Sequence, residues 1–204
     1  MKKLFLASSF KDVAPLLEQT EGSLQGKSVT FIPTASNVEK IVFYVASGRK
    51  ALEKMGMVID ELDVATASVE DIAAKLALND YIYITGGNTF FLMQELKRSG
   101  ADQLIAEQVC AGKGYIGESA GALVAAPNIE YASTMDSVKK APDLKGFEGL
   151  GLVDFYPVPH HTNAPFKRAV EKIIEKYGAS LPLHPISNKE AISVQGDELT
   201  ILGR

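Results

Sequence analysis

The sequence predicts an α/β fold, a mostly parallel sheet flanked by helices on both faces in three layers. Two observations lead there. Short β-rich runs alternate with longer stretches of helical period along most of the 204 residues. Several of these runs are also nearly continuous in apolar character, as suits strands covered on both faces. The length suits one domain, residues 1–204, with a substantial core.

The elements follow in order. Residues 3–7 read as a first buried strand, because the apolar run Leu4-Phe5-Leu6-Ala7 ends too soon for a signal peptide despite the two lysines before it. Residues 28–33 form the second strand. Val38, Ile41, Val42, Val45, Leu52 and Met55 then recur at spacings that line one face of a helix beginning near Asn37. After a strand over 57–64, Ser68 caps a helix with acidic residues in its first turn. A strand over 81–85 leads to helices over 89–97 and 101–111, the first capped by Asn88 or Thr89. Strands over 115–118 and 153–158 precede a helix over 165–177, with Pro165 in its first turn and Gly178 as its stop. The last runs, 181–186, 190–194 and 199–202, read as short strands joined into hairpins at the sheet edge by Ser187-Asn-Lys and Gln195-Gly-Asp.

Composition narrows the function classes. With 46% hydrophobic and 23% charged residues the chain is ordinary globular protein, and no apolar run is long enough to span a bilayer. A net charge of −4 without a basic cluster argues against nucleic acid as a partner and leaves small molecules or peptides. Cys110 is the only cysteine, which excludes an intrachain disulfide and suits the cytoplasm. A homodimer would need an exposed apolar patch, which sequence does not locate.

Gly117-Glu-Ser-Ala-Gly121 carries the chemistry. It matches G-x-S-x-G and lies between a strand and a helix, where a sharp turn lifts a serine hydroxyl out of the sheet. The alternative is that Ser119 merely caps a helix, with the glycines permitting close packing. A nucleophilic serine needs a base, and the chain has three histidines: His160 and His161, where an apolar strand has run out into a loop, and His184 on a proline-braced edge. It also needs a carboxylate to orient that base. Asp136 and Glu130 are the candidates, whereas Glu118, on the turn itself, is a weaker orienter nearer to substrate binding. Oxyanion donors would come from the N–H of Ala120 and from the loop Ile84-Thr-Gly-Gly-Asn-Thr-Phe90, whose spacing does not fit a dinucleotide loop. A non-catalytic anion-binding module using the same loops is the alternative of a different class.

Thr85-Gly-Gly-Asn-Thr-Phe90, Gly117-Glu-Ser-Ala-Gly-Ala122 and Pro159-His-His-Thr-Asn163, in this order, resemble the peptidase E family of serine peptidases, which includes aspartyl dipeptidases and is related to cyanophycinase. The resemblance spans nearly the whole chain. It implies a fold like that of class I glutamine amidotransferases, cleavage of short peptides without metal or organic cofactor, Ser119 as nucleophile and His160 as base. It places Gly87 and Asn88 near the oxyanion. For the acid, an ungapped register falls on Thr134 and a small insertion brings in Asp136, which is favoured over Glu130. The aspartyl dipeptidases have an arginine downstream of the histidine for the substrate carboxylate; here Lys167 and Arg168 do not match its position, so a preference for N-terminal aspartate is not implied. An esterase or another amide hydrolase with the same triad is the nearest alternative.

Overall fold

The computed structural model describes residues 1–204. Five strands, β1 (Lys3–Ala7), β2 (Ser28–Ile32), β3 (Val58–Glu61), β4 (Tyr81–Ile84) and β5 (Gly114–Glu118), run parallel. Next in the chain, β6 (Tyr156–Val158) and β7 (Leu183–Pro185) pair in parallel as a separate small sheet. The chain ends in the antiparallel hairpin β8 (Ala191–Gln195) and β9 (Glu198–Leu202), which joins the main sheet through β1. The seven-stranded order is β3-β2-β4-β5-β1-β8-β9.

Strand alternation sorts the core onto the two faces of this sheet. Phe5, Phe31, Tyr83 and Ile116 point one way, into a cluster closed by helices α1 (Phe10–Glu21) and α2 (Phe43–Lys54). Leu4, Leu6, Ile82, Ile84 and Tyr115 point the other way, into a larger cluster. That face is covered by α3 (Val69–Leu78), α4 (Thr89–Ser99), α5 (Ala101–Cys110), the short α6 (Ala120–Leu123) and α7 (Lys167–Tyr177). The result is the three-layer α/β arrangement expected from the sequence. No helix is long and apolar enough to cross a membrane.

The differences from expectation have local causes. The helix expected from Asn37 begins only at Phe43. Thr34 Oγ1 and Asn37 Nδ2 donate to the Asp63 carboxylate at 2.7 and 2.9 Å, and these bonds hold a 3-10 turn over Thr34–Ser36 in place of a helical start. Ile41 and Val42 consequently stand exposed instead of lining a buried face. Helix α1 is not among the helices expected from the sequence; it contains Pro15 and buries a continuous face through Phe10, Val13, Ala14 and Leu17. Pro165 precedes α7 and follows a cis peptide bond with Ala164. Residues 183–185 make no hairpin: the connection from β6 to β7 runs through α7, and a helical crossover of that length returns the chain parallel.

Candidate active site

The carboxyl ends of β4, β5 and β1 lie side by side, and each leads into a loop of the site. Ligands collect at this edge in open α/β sheets.

Ser119 follows β5 and opens α6 with φ 49° and ψ −103°, outside the regions a side-chain-bearing residue normally occupies. The flanking glycines explain how so sharp a turn fits. A Cβ on Gly117 would collide with the Gly121 carbonyl, and one on Gly121 would collide with the Ile84 carbonyl. Tyr115 Oη donates to the Gly121 carbonyl at 2.6 Å, and the Ser119 N–H donates to Ala7 O at 2.9 Å, fixing the turn from both sides. The hydroxyl of Ser119 caps no helical N–H. Its partner is His160 Nε2, 2.9 Å away, which answers the choice between helix cap and elbow hydroxyl.

His160 is held as tightly. It has φ 65°, another left-handed conformation, with its N–H donating to Ser8 Oγ at 2.9 Å. Ser8 is 2% exposed and in turn donates to Ile186 O at 3.0 Å, so a single hydroxyl at the end of β1 ties the histidine loop to the segment after β7. The Phe166 ring stacks on the imidazole, with centroids 4.7 Å apart. Burial lowers the pKa of His160 below the ordinary 6.5, partly opposed by a hydrogen bond to Asn188, and the ring is therefore neutral at pH 7. His161 does not share this position; its N–H donates to Ile186 O. His184 lies in β7 with its ring against Phe155.

The group behind His160 differs from both sequence candidates. Its Nδ1 lies 2.9 Å from Asn188 Oδ1. With Ser119 donating to Nε2, Nδ1 carries the proton and gives it to the amide oxygen. Asn188 is presented by the turn between β7 and β8. There Asn163 Oδ1 accepts from the Asn188 N–H at 2.9 Å, and Glu190 accepts from the Ser187 N–H at 2.7 Å. Asp136 lies elsewhere: it accepts from the N–H of Thr89 at 2.9 Å and from its hydroxyl, capping the first turn of α4. Burial raises the pKa of that carboxyl, partly opposed by the Thr89 bonds. Glu130 is exposed on the 3-10 segment Glu130–Thr134, and the alternative register position, Thr134, is bonded only to Ala169 O at 3.4 Å. The sequence carried no mark for Asn188, which sits in a polar tripeptide read as an ordinary hairpin connection.

The glycine loop after β4 abuts Ser119. A Cβ on Gly86 would stand 3.2 Å from Ser119 Cβ. Gly87 has φ 140°, and a Cβ there would strike the Ala35 backbone. The Asn88 N–H is committed to Ala35 O at 2.8 Å, while its side chain caps α4 by accepting from the Phe91 N–H at 2.9 Å. Asn88 therefore has no free backbone donor for an oxyanion. The N–H groups of Gly87 and Ala120 have no partner within the chain.

Glu118, beside Ser119, points into the core, accepting from Tyr83 Oη at 2.7 Å and from the Phe10 N–H at 2.9 Å. Burial raises its pKa, and those bonds partly counter it. Lys167 and Arg168 are exposed on the first turn of α7 and form no ion pair. No group of three His, Cys, Asp or Glu side chains is arranged to hold a metal ion.

A half-buried serine and histidine in hydrogen-bond contact at a strained strand-to-helix turn are the parts of a hydrolase site, and the family model for "Peptidase family S51" matches residues 4–202. The chain belongs to peptidase family S51. It is a serine-type peptidase with a three-layer α/β fold. Over 199 residues it is 61% identical to the uncharacterized peptidase Lin0382 of Listeria innocua, covering 98% of this chain and 95% of that one. Peptidase E of Shewanella amazonensis is 31% identical over 209 residues, covering 98% of this chain and 82% of its own. A 1.5 Å crystal structure from Listeria monocytogenes EGD-e superimposes with a TM-score of 0.96 at 56% identity, covering 100% of this chain and 99% of that one. Within this S51 chain, the structure brings the histidine loop and the glycine loop after β4 against the elbow.

Proposed function

We propose that this S51 chain hydrolyses short peptides in the cytoplasm through an acyl-enzyme on Ser119, with His160 as the base and Asn188 as the residue that orients it. The observation that supports this most is the 2.9 Å contact between Ser119 Oγ and His160 Nε2 on a strained turn. Strain of this kind costs on the order of 1–3 kcal/mol and persists where the surroundings impose it.

The steps follow from the geometry. As Ser119 Oγ attacks the scissile carbonyl carbon, its proton passes to His160 Nε2, and the oxygen that becomes negative is met by the N–H groups of Gly87 and Ala120. His160 then gives that proton to the leaving amine as the C–N bond breaks. Water then attacks the acyl carbonyl as the same nitrogen takes its proton, and that proton passes to Ser119 Oγ as the acyl C–O bond breaks and the acid is released. Asn188 fixes the tautomer by accepting from Nδ1. Being neutral, it supplies no charge to balance the imidazolium that forms.

A dipeptide panel with N-terminal Asp, Glu, neutral and blocked members tests the reading. Turnover by the parent and none by Ser119→Ala supports it; ester hydrolysis without peptide cleavage would assign the triad to an esterase instead. Comparable turnover of Asp and neutral dipeptides would fit the exposed, unmatched Lys167 and Arg168.

A further inference from the structure

Proton transfer from Ser119 puts a positive charge on the His160 ring, and the group behind that ring, the Asn188 amide, is neutral. Burial already disfavours the charged form of this histidine. The charged side chains around it are engaged elsewhere or stand in water. Lys167 and Arg168, which open α7, are exposed, and so is Lys189, next to Asn188. Glu190 pairs with Arg204 at 2.8 Å, Glu118 accepts from Tyr83 and Phe10, and Asp136 accepts from Thr89. On the histidine loop itself, His161 is tied through its N–H to Ile186 O. The hydrogen bonds of His160 end on Ser119, Asn188 and Ser8, none of which carries a charge.

The group that does face the ring is Phe166. The two rings are stacked, with centroids 4.7 Å apart and planes inclined by 25°. Phe166 stands at the start of α7, where its carbonyl accepts from the Val170 N–H at 2.9 Å, and α7 is anchored by Val170 and Ile173 in the larger core. The phenyl ring packs against that core as well, so it is presented to the imidazole from a fixed element. An aromatic face carries partial negative charge and attracts a cation within about 6 Å of its centroid. A neutral imidazole gains little from this, whereas an imidazolium gains in full. The attraction therefore grows as the proton moves, and an interaction that is stronger in the transition state than in the ground state lowers the barrier.

We propose that the face of Phe166 stabilises the imidazolium of His160 as it takes the Ser119 proton, supplying part of what a carboxylate behind the base would supply. The inference rests on the peptidase reading and adds a residue that acts through His160. In this arrangement the two roles of a triad acid are divided: Asn188 orients the ring through Nδ1, and Phe166 meets its charge from the face.

Phenylalanines carrying one, two and three ring fluorines, placed at position 166 by amber suppression, test this. They keep nearly the size of the ring while draining negative charge from its face. The expected result is a stepwise fall in kcat for the fastest free dipeptide of the panel, by about threefold or more with three fluorines, at unchanged KM. Because the imidazolium is the form that loses support, the pH midpoint of kcat moves downward along the same series. A midpoint that stays in place or moves upward overturns the assignment, and a constant kcat reduces Phe166 to a cover for the base and overturns it too. A rise in KM at constant kcat makes the ring a substrate contact instead and also overturns it. A parent that cleaves no peptide removes the peptidase reading and this inference together, whereas an active parent with a flat fluorine series removes this inference alone.

Discussion

His160 Nδ1 meets the side-chain oxygen of Asn188 at 2.9 Å, so the base we propose is oriented by an amide and not by a carboxylate. Since His160 works as a base only when neutral and burial lowers its pKa below 6.5, activity is expected to rise with pH through a midpoint below that value. Asn188→Asp places a negative charge against the ring, favours the imidazolium and moves the midpoint upward. A kcat/KM profile against pH for the two proteins reads the shift, and a downward or absent shift would separate Asn188 from the base.

The conformation of Ser119 has its own thermodynamic signature. Ser119→Gly removes the Cβ that makes φ 49° and ψ −103° unfavourable, so the variant should be inactive yet more stable by about 1 kcal/mol or more. Chemical denaturation measures the gain.

Asp136 caps α4 through Thr89, and Asp136→Asn should therefore act on stability first. Weakening a hydrogen-bonded carboxylate of this kind costs about 1–3 kcal/mol, visible as a lower Tm. The pH midpoint of the remaining activity should stay where it was, because Asp136 does not touch His160. A moved midpoint would return Asp136 to the role of triad acid.

Ser8 is the strut between the histidine loop and the segment that leads to Asn188. Ser8→Ala strips the His160 N–H of its acceptor and the Ile186 carbonyl of a donor in a buried place, at a cost of about 1–3 kcal/mol. Its effect on activity should appear in kcat, through a misplaced imidazole, with KM little changed.

The sheet was legible because strands covered on both faces must be apolar throughout, and their alternation with helical periods leaves few topologies. The elbow was legible for a similar reason: Gly117 and Gly121 are sites where any side chain would strike backbone, so the motif records a geometric need. The PHHTN segment carries His160, whose Nε2 lies 2.9 Å from Ser119 Oγ. Asn188 was not legible, because its role comes from a tertiary meeting of two loops and nothing in Ser187-Asn-Lys distinguishes it from a turn. Asp136 misled for the converse reason: a carboxylate after the serine helix satisfies the sequence argument for a triad acid, while in space its Oδ2 takes both Thr89 bonds and neither oxygen bonds His160. The late start of α2 shows the same limit, since the bonds from Thr34 and Asn37 to Asp63 link positions far apart in the chain.

The claim that Ser119 is a nucleophile activated by His160 is tested most directly by mass spectrometry of the protein treated with a fluorophosphonate and digested. The expected result is one adduct on the peptide containing Ser119, formed readily by the parent and lost or strongly slowed in His160→Ala. Peptide turnover by a parent whose adduct lies on another residue, or labelling of Ser119 at an unchanged rate in His160→Ala, would contradict the account.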